Sequence, residues 1–237
     1  PILSHWGWTD LGKLPKWYRV ERPGAILENV GWSRWVRALA DGVAPRYLRF
    51  RSAFGSSTPP VSVQQLDDID PDRLATIAGR TTTVATHVER SAQFYRWRLA
   101  SPLIDTTTFV AVRGEEDLAA IITRRQTIGG VDAVQLFDVL PMAVGHGGPT
   151  AVDGQPIAAL LDAIIDTHPD GAMLSAPGTV WRGTSLGSRG FLSNESVLFP
   201  SSLETGFSLF VTPLAGSTDG FEDLSSWALA GTILETV

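Results

Sequence analysis

The stretch Gly145-His146-Gly147-Gly148-Pro149-Thr150 is the part of this chain best suited to holding a charged ligand. Glycine lets a backbone approach a phosphate closely, and the free N–H groups at the start of a following helix favour an anion. A loop of this composition also serves as a plain flexible connection, so both readings stand. His146 either contacts such a phosphate or is a solvated loop residue. The remaining histidines, His5, His87 and His168, are dispersed and show no HxxxH or HExxH spacing, which leaves metal binding without support. Asp67, Asp68, Asp70 and Asp72 lack the glycine and terminal glutamate of a calcium loop and read as a solvated helix start. There is no cysteine, which removes disulfides, Cys-ligated zinc and thiol nucleophiles together. Neither a GxSxG elbow nor a Walker loop is present.

The elements that must carry these residues follow from pattern. With 43% hydrophobic and 19% charged residues over 237 positions, the chain can bury a sizeable core. Its net charge of −6, with Lys and Arg scattered, argues against a nucleic-acid partner held through the backbone. No apolar run approaches the roughly 18 residues needed to span a bilayer, and no signal peptide opens the chain. The expectation is a soluble, cytoplasmic protein.

Trp6 to Tyr18 reads as strand, Gly/Pro turn and strand. Trp32, Trp35, Val36 and Leu39 recur at helical spacing, so Gly31 to Leu39 is expected to be a short amphipathic helix docked on the main domain, with a membrane-surface helix as the alternative. Gly55 to Pro60 is the clearest linker. Beyond it come a strand at Val61–Leu66 and a helix with Asp70 as N-cap and Pro71 at its first position. A second helix is expected over Val88–Leu99. Strands at Thr107–Arg113, Leu118–Thr127 and Val131–Leu140 are joined by tight turns and form an antiparallel meander. The glycine loop leads to a helix from about Gln155 to Thr167. A strand at Gly171–Ser175 and a weak helical turn over Val180–Gly190 follow, and strands at Phe191–Phe199 and Phe207–Pro213 finish the sheet. This order makes an α/β fold: a mixed sheet with helices on both faces.

The order β–α–α–β–β–β–α–β–α–β–β over about Val61 to Leu214, with the passage FYRWRLASP (Phe94 to Pro102) running into TTTFVAVRGEEDLAAII, resembles the Gcn5-related N-acetyltransferase (GNAT) superfamily. The resemblance implies an acetyl-CoA cosubstrate whose pyrophosphate lies on a loop of pattern [Gln/Arg]-x-x-Gly-x-[Gly/Ala]. Here that loop is Met142-Ala-Val-Gly145-His-Gly147, with Gly148 and Thr150 behind it. Met142 stands where the pattern has Gln or Arg, and the helix is expected to start late, after Asp153. The resemblance further implies that the acyl-pantetheine arm runs along the edge of the fourth strand, from Leu140 to Val144. On that strand Asp138 is the carboxylate that could take a proton from an amine, or else a strand residue facing solvent. The fourth helix of many such enzymes carries a Tyr as general acid; between Val180 and Gly190 there is no Tyr, and Ser185, with Thr184 beside it, takes that place.

Gly7-Trp8 before strand, turn and strand is similar to Gly190-Phe191 before strand, turn and strand. Residues 1–22 are therefore expected to be the closing hairpin of a preceding GNAT-like copy whose body lies outside this sequence, with 23–60 a helical connection, 61–214 the GNAT-like domain and 215–237 a tail. Two functions follow from the resemblance. One is an acyl-CoA-dependent N-acyltransferase acting on a small-molecule amine. The other is a catalytically silent domain that binds substrate or dimerises, as a homodimer or with the preceding copy. Kinship with FemAB-type aminoacyl transferases is disfavoured by the lack of a basic patch.

Overall fold

The computed structural model describes residues 9–29, 31, 33–53, 61–81, 88–101, 105–128, 130–142, 151–168, 171–181, 184–195 and 208–211. In chain order the elements are β1 (Thr9–Lys13), β2 (Lys16–Val20), α1 (Pro23–Asn29), α2 (Arg34–Ala53), β3 (Ser62–Leu66), α3 (Pro71–Ala78), α4 (Ala92–Leu99), β4 (Thr106–Arg113), β5 (Glu116–Ile128), β6 (Val131–Leu140), α5 (Ala151–Thr167) and β7 (Met173–Pro177). Two 3-10 turns, Thr179–Trp181 and Gly187–Arg189, precede β8 (Leu192–Ser193), and β9 (Ser208–Val211) comes last.

A seven-stranded sheet runs β3-β4-β5-β6-β7-β2-β8. The meander β3 to β6 is antiparallel throughout, and β7 lies parallel to β6. From Ser62 to Pro177 this is the order the resemblance implied: strand, two helices, three-strand meander, helix, parallel strand.

Period-two alternation builds the two cores. On one face Phe109, Ala111, Ala119, Ile121, Val134 and Leu136 pack against Leu160, Leu161 and Ile164 of α5. The neighbouring residues Val110, Val112, Ala120 and Ile122 face the other way, onto Leu74, Ile77, Ala78 and Tyr95 of α3 and α4. Successive strand residues point to opposite faces, so one sheet serves helices on both sides. The α3 start follows expectation: Asp70 is the N-cap, its side chain accepts from the Asp72 N–H at 3.0 Å, and Pro71 occupies the first turn. Arg73 then ties α3 to the β4–β5 turn through two bonds of 2.7 Å to Asp117.

The N-terminal segment departs from the expected hairpin. β1 and β2 do not pair with each other: β1 pairs with β9 in a separate two-stranded sheet, and β2 enters the main sheet between β7 and β8. The Phe207–Pro213 segment was expected to finish the main sheet; its strand, β9, does not join it, and the N-terminal β2 lies against β7. Backbone bonds carry the chain on both sides of it, from Gly178 N–H to Pro15 C=O at 3.0 Å and from Asn194 N–H to Lys16 C=O at 2.8 Å. A strand that aligns its donors and acceptors with an open edge satisfies them whatever its place in the chain, and period-two pattern carries no information on which edge that is.

Two helices also differ. α2 runs twenty residues, and the apolar stripe read as a docking face is open: Trp35 is 85% exposed, and Val36 and Leu39 are exposed with it, while Trp32 lies outside the described residues. α2 is instead held through its other side, where Asp41 accepts from the Gly24 N–H at 2.7 Å and Arg37 pairs with Glu28 at 2.6 Å. α4 begins at Ala92, with Ser91 as N-cap accepting from the Phe94 N–H at 3.2 Å. The linker 55–60 and the tail 215–237 lie outside the described residues. Among the described residues, no helix is long and apolar enough to cross a membrane.

Candidate functional site

The centre of interest is the place where β6 and β7 part. Their parallel register covers Ala133↔Met173, Val134↔Leu174 and Gln135↔Ser175 and goes no further, although β6 continues to Leu140 and β7 to Pro177. At that point β6 carries a bulge. Ile122 pairs with Asp138 and Thr123 with Leu136, so Phe137 is an extra residue in the strand. A bulge bends its strand and raises its twist, which turns β6 away from a neighbour it had been following. The segment Leu136–Leu140 keeps its bonds to β5, and on the other side it has no strand partner among the described residues.

The bulge also inverts the facing of everything after it. Val134 and Leu136 face α5, and strict alternation would send residue 138 there too. Val139 faces α5 instead, while Phe137 and Leu140 join the α3/α4 core. Asp138 is turned towards α4 and is completely buried. Its carboxylate accepts from Arg90 Nε and Nη2 at 3.0–3.2 Å, from the Tyr95 hydroxyl at 3.1 Å and from the Val139 N–H at 2.9 Å. The solvent-facing alternative for Asp138 is thereby corrected: it has no exposed surface. Burial, and after it the Asp138 charge, push the Tyr95 phenol well above its ordinary value, so it stays a neutral donor. Burial works against the Arg90 charge, but the Asp138 carboxylate overrides it and holds Arg90 above its usual value. A carboxylate with no exposed surface and its acceptor sites occupied is poorly placed to take a proton from an outside amine.

Phe137 has its own setting. The guanidinium carbons of Arg98 and Arg124 lie 4.9 and 5.1 Å from its ring centroid, a cation–π geometry that helps seat the extra residue. Arg90, Tyr95 and Arg98 were missed as members of this cluster. The signal for Tyr95 and Arg98 was the FYRWRLASP passage itself, which sets charged and aromatic residues on a helix that must cover the sheet; Arg90 lies outside that passage, just before the helix.

On the β7 side, the Ser175 hydroxyl and the Trp181 indole N–H are buried and have no hydrogen-bond partner among the described residues. Ser175 is the last β7 residue in register with β6, and Trp181 lies four residues beyond the end of β7. Buried polar atoms are nearly always satisfied, so two such atoms close in sequence to the parting are unusual.

Of the expected cofactor residues, Leu140 and Met142 are buried at the exit of β6. The Met142 N–H donates to the Thr81 hydroxyl at 3.2 Å, which ties the start of the glycine loop to the end of α3. Val144, Gly145, Gly147, Gly148 and Thr150 lie outside the described residues, as does His146. The expected late helix start is corrected, because α5 begins at Ala151, directly after the loop, with Pro156 inside it. Ser185 sits half-buried in the turn before Gly187–Arg189, and its carbonyl accepts from the Ser188 hydroxyl at 2.8 Å. That turn is clamped to α5 by Arg189, which makes a bidentate pair with Asp162 at 2.6 and 2.8 Å.

No protein-family model matches the sequence, and no curated protein matches it. Among solved structures, the chain is similar to a GCN5-related N-acetyltransferase from Anabaena variabilis, at 7% identity and a TM-score of 0.47, covering 81% of this chain and 40% of that one. It is also similar to a functionally unknown conserved protein from Staphylococcus epidermidis, at 11% identity and a TM-score of 0.41, covering 81% of this chain and 62% of that one. The chain thus spans less than two thirds of either neighbour. At these scores the likeness decides nothing about activity.

Proposed function

We propose that this chain is an acyl-CoA-dependent N-acyltransferase domain, transferring an acetyl group to the amine of a small molecule. The observation that supports it is the parting of β6 and β7 at the Phe137 bulge. It leaves Leu136–Leu140 without a strand partner on that side among the described residues, and an extended amide-bearing arm such as pantetheine would supply one. The pyrophosphate would lie on the N–H groups of Gly145, Gly147 and Gly148, with Thr150 behind them and the α5 dipole favouring the charge. Asp138 in this reading is a positioning residue: it holds the bulge through Arg90 and Tyr95. The amine proton then passes to water, and Ser185 or water protonates the leaving thiolate. The proposal involves no nucleic acid and no membrane span. A preceding GNAT-like domain or a second copy remains a partner of this proposal, as does a cytoplasmic location.

One observation favours a second reading, the catalytically silent domain. The carboxylate nearest the proposed acyl site is sealed, and no tyrosine stands between Val180 and Gly190. Calorimetry with acetyl-CoA and with CoA separates the two. Saturable one-site heat with acetyl-CoA is expected; silence with both ligands would overturn the enzyme and put the silent domain first.

A further inference from the structure

Of the large apolar side chains that stand exposed among the described residues, four belong to α2: Trp35, Val36, Leu39 and Val43. A helix turns by about 100° and rises about 1.5 Å per residue. Trp35, Leu39 and Val43 therefore advance down one side, and Arg46 returns to the line of Trp35 about 16 Å further along. Arg34 and Arg46, both exposed, stand at the two ends of this stripe. The opposite side is taken: Arg37 and Asp41 hold it to α1, and the Gly187–Arg189 turn packs beside it. One half of the helix is fixed to the protein and the other faces out.

Charge narrows what can cover the outward half. The helix sequence holds five arginines and one aspartate, in a chain where 25 acidic residues outnumber 19 basic ones. Asp41 is occupied by the Gly24 N–H and Arg37 by Glu28, whereas Arg34 and Arg46 are turned outward. A second copy would set this face against itself, and with arginines at both ends either direction of pairing brings arginine towards arginine. A groove that encloses a helix would need the side that α1 already holds. A flat anionic surface meets only the outward half and complements its charge. We propose that α2 lies in the plane of a membrane surface bearing anionic lipid, with Trp35, Leu39 and Val43 at the acyl boundary and Arg34 and Arg46 on the lipid phosphates. The contact is superficial, since among the described residues no helix is long and apolar enough to cross. It is separate from the β6–β7 parting and stands whether or not the chain is an acyltransferase.

The test uses the full chain and vesicles of two compositions, phosphatidylcholine alone and an equimolar mixture with phosphatidylglycerol. Flotation should show binding to the mixed vesicles, and binding to phosphatidylcholine alone should be weaker by tenfold or more. Arg34→Gln and Arg46→Gln should each weaken mixed-vesicle binding about fivefold, and Trp35→Ser tenfold or more. All three positions are exposed, so these changes leave the core intact. Brominated acyl chains in the mixed vesicles should quench tryptophan fluorescence, and the quenching should shrink in Trp35→Phe, which keeps an apolar contact. No binding to mixed vesicles, equal binding to both compositions, unchanged binding in all three variants, or undiminished quenching in Trp35→Phe would overturn the proposal. So would a dimer in sedimentation velocity that Trp35→Ser abolishes, because the face would then belong to a second copy.

Discussion

The Arg90 guanidinium and the Asp138 carboxylate form an ion pair sealed from solvent, with Nε 3.0 Å from Oδ2 and side-chain exposures of 1% and 0%. Removing one partner leaves a buried charge alone, which costs about 3–5 kcal/mol. Arg90→Leu should therefore lower unfolding stability by that order in urea titration. Replacing both residues, in Arg90→Leu with Asp138→Leu, should recover part of the loss. If Arg90→Leu unfolds at the wild-type urea midpoint, the pair is not structural.

The pair between Arg73 and Asp117 makes a pH prediction. The hydrogen bond from Arg73 holds the Asp117 carboxyl below its usual value. A depressed carboxylate contributes stability that is present above its unfolded pKa, near 4, and is lost as pH falls through the folded one. Melting temperature should therefore drop below about pH 4 more steeply in wild type than in Asp117→Asn. Parallel curves would mean that the pair adds no measurable stability.

Gly24 and Asp41 make a local prediction. A side chain at Gly24 would overlap the Asp41 carboxylate, which caps the first turn of α1 through the Gly24 N–H. Gly24→Ala should cost about 1 kcal/mol, the usual worth of a lost cap. Combined with Asp41→Ala, the cost should be less than the sum of the two single changes, because one contact cannot be lost twice. Thermal melts of the three variants decide this, and strict additivity would separate the two residues.

For the proposed cofactor site, Gly147→Asp would set a carboxylate against the pyrophosphate. Two like charges at about 4 Å repel by roughly 1 kcal/mol in bulk water and more where solvent is excluded. Since 1.4 kcal/mol is about tenfold, acetyl-CoA binding should weaken tenfold or more by calorimetry. Equal binding by both proteins would remove the glycine loop from the site.

Much of the scaffold was written locally, and the reason is physical. The meander from Thr106 to Leu140 shows in period-two apolar runs and tight turns because each of those choices involves residues close in sequence. Asp70 and Pro71 mark a helix start for the same reason: a cap needs only the next two or three N–H groups. What pattern could not show was the consequence of one extra residue. The Phe137 bulge shifts β6 by a single position, and one position turns Asp138 from one face of the sheet to the other. Whether a strand bulges depends on how Phe137 seats beneath Arg98 and Arg124, which come from α4 and β5.

The chain by itself determined the strands of the meander, the helix start at Asp70 and Pro71, and that the sheet is mixed. Only the tertiary structure decided that β2, not β9, lies against β7, that β6 and β7 part after Gln135, and that Arg90 and Tyr95 close over Asp138. Each of these joins residues far apart in sequence, such as Lys16 with Pro177 or Arg90 with Asp138. Any edge with free donors and acceptors can accept a strand, and any buried cation can pair a buried carboxylate. The selection among them is made by how all the elements pack at once, and no local stretch of sequence carries that information.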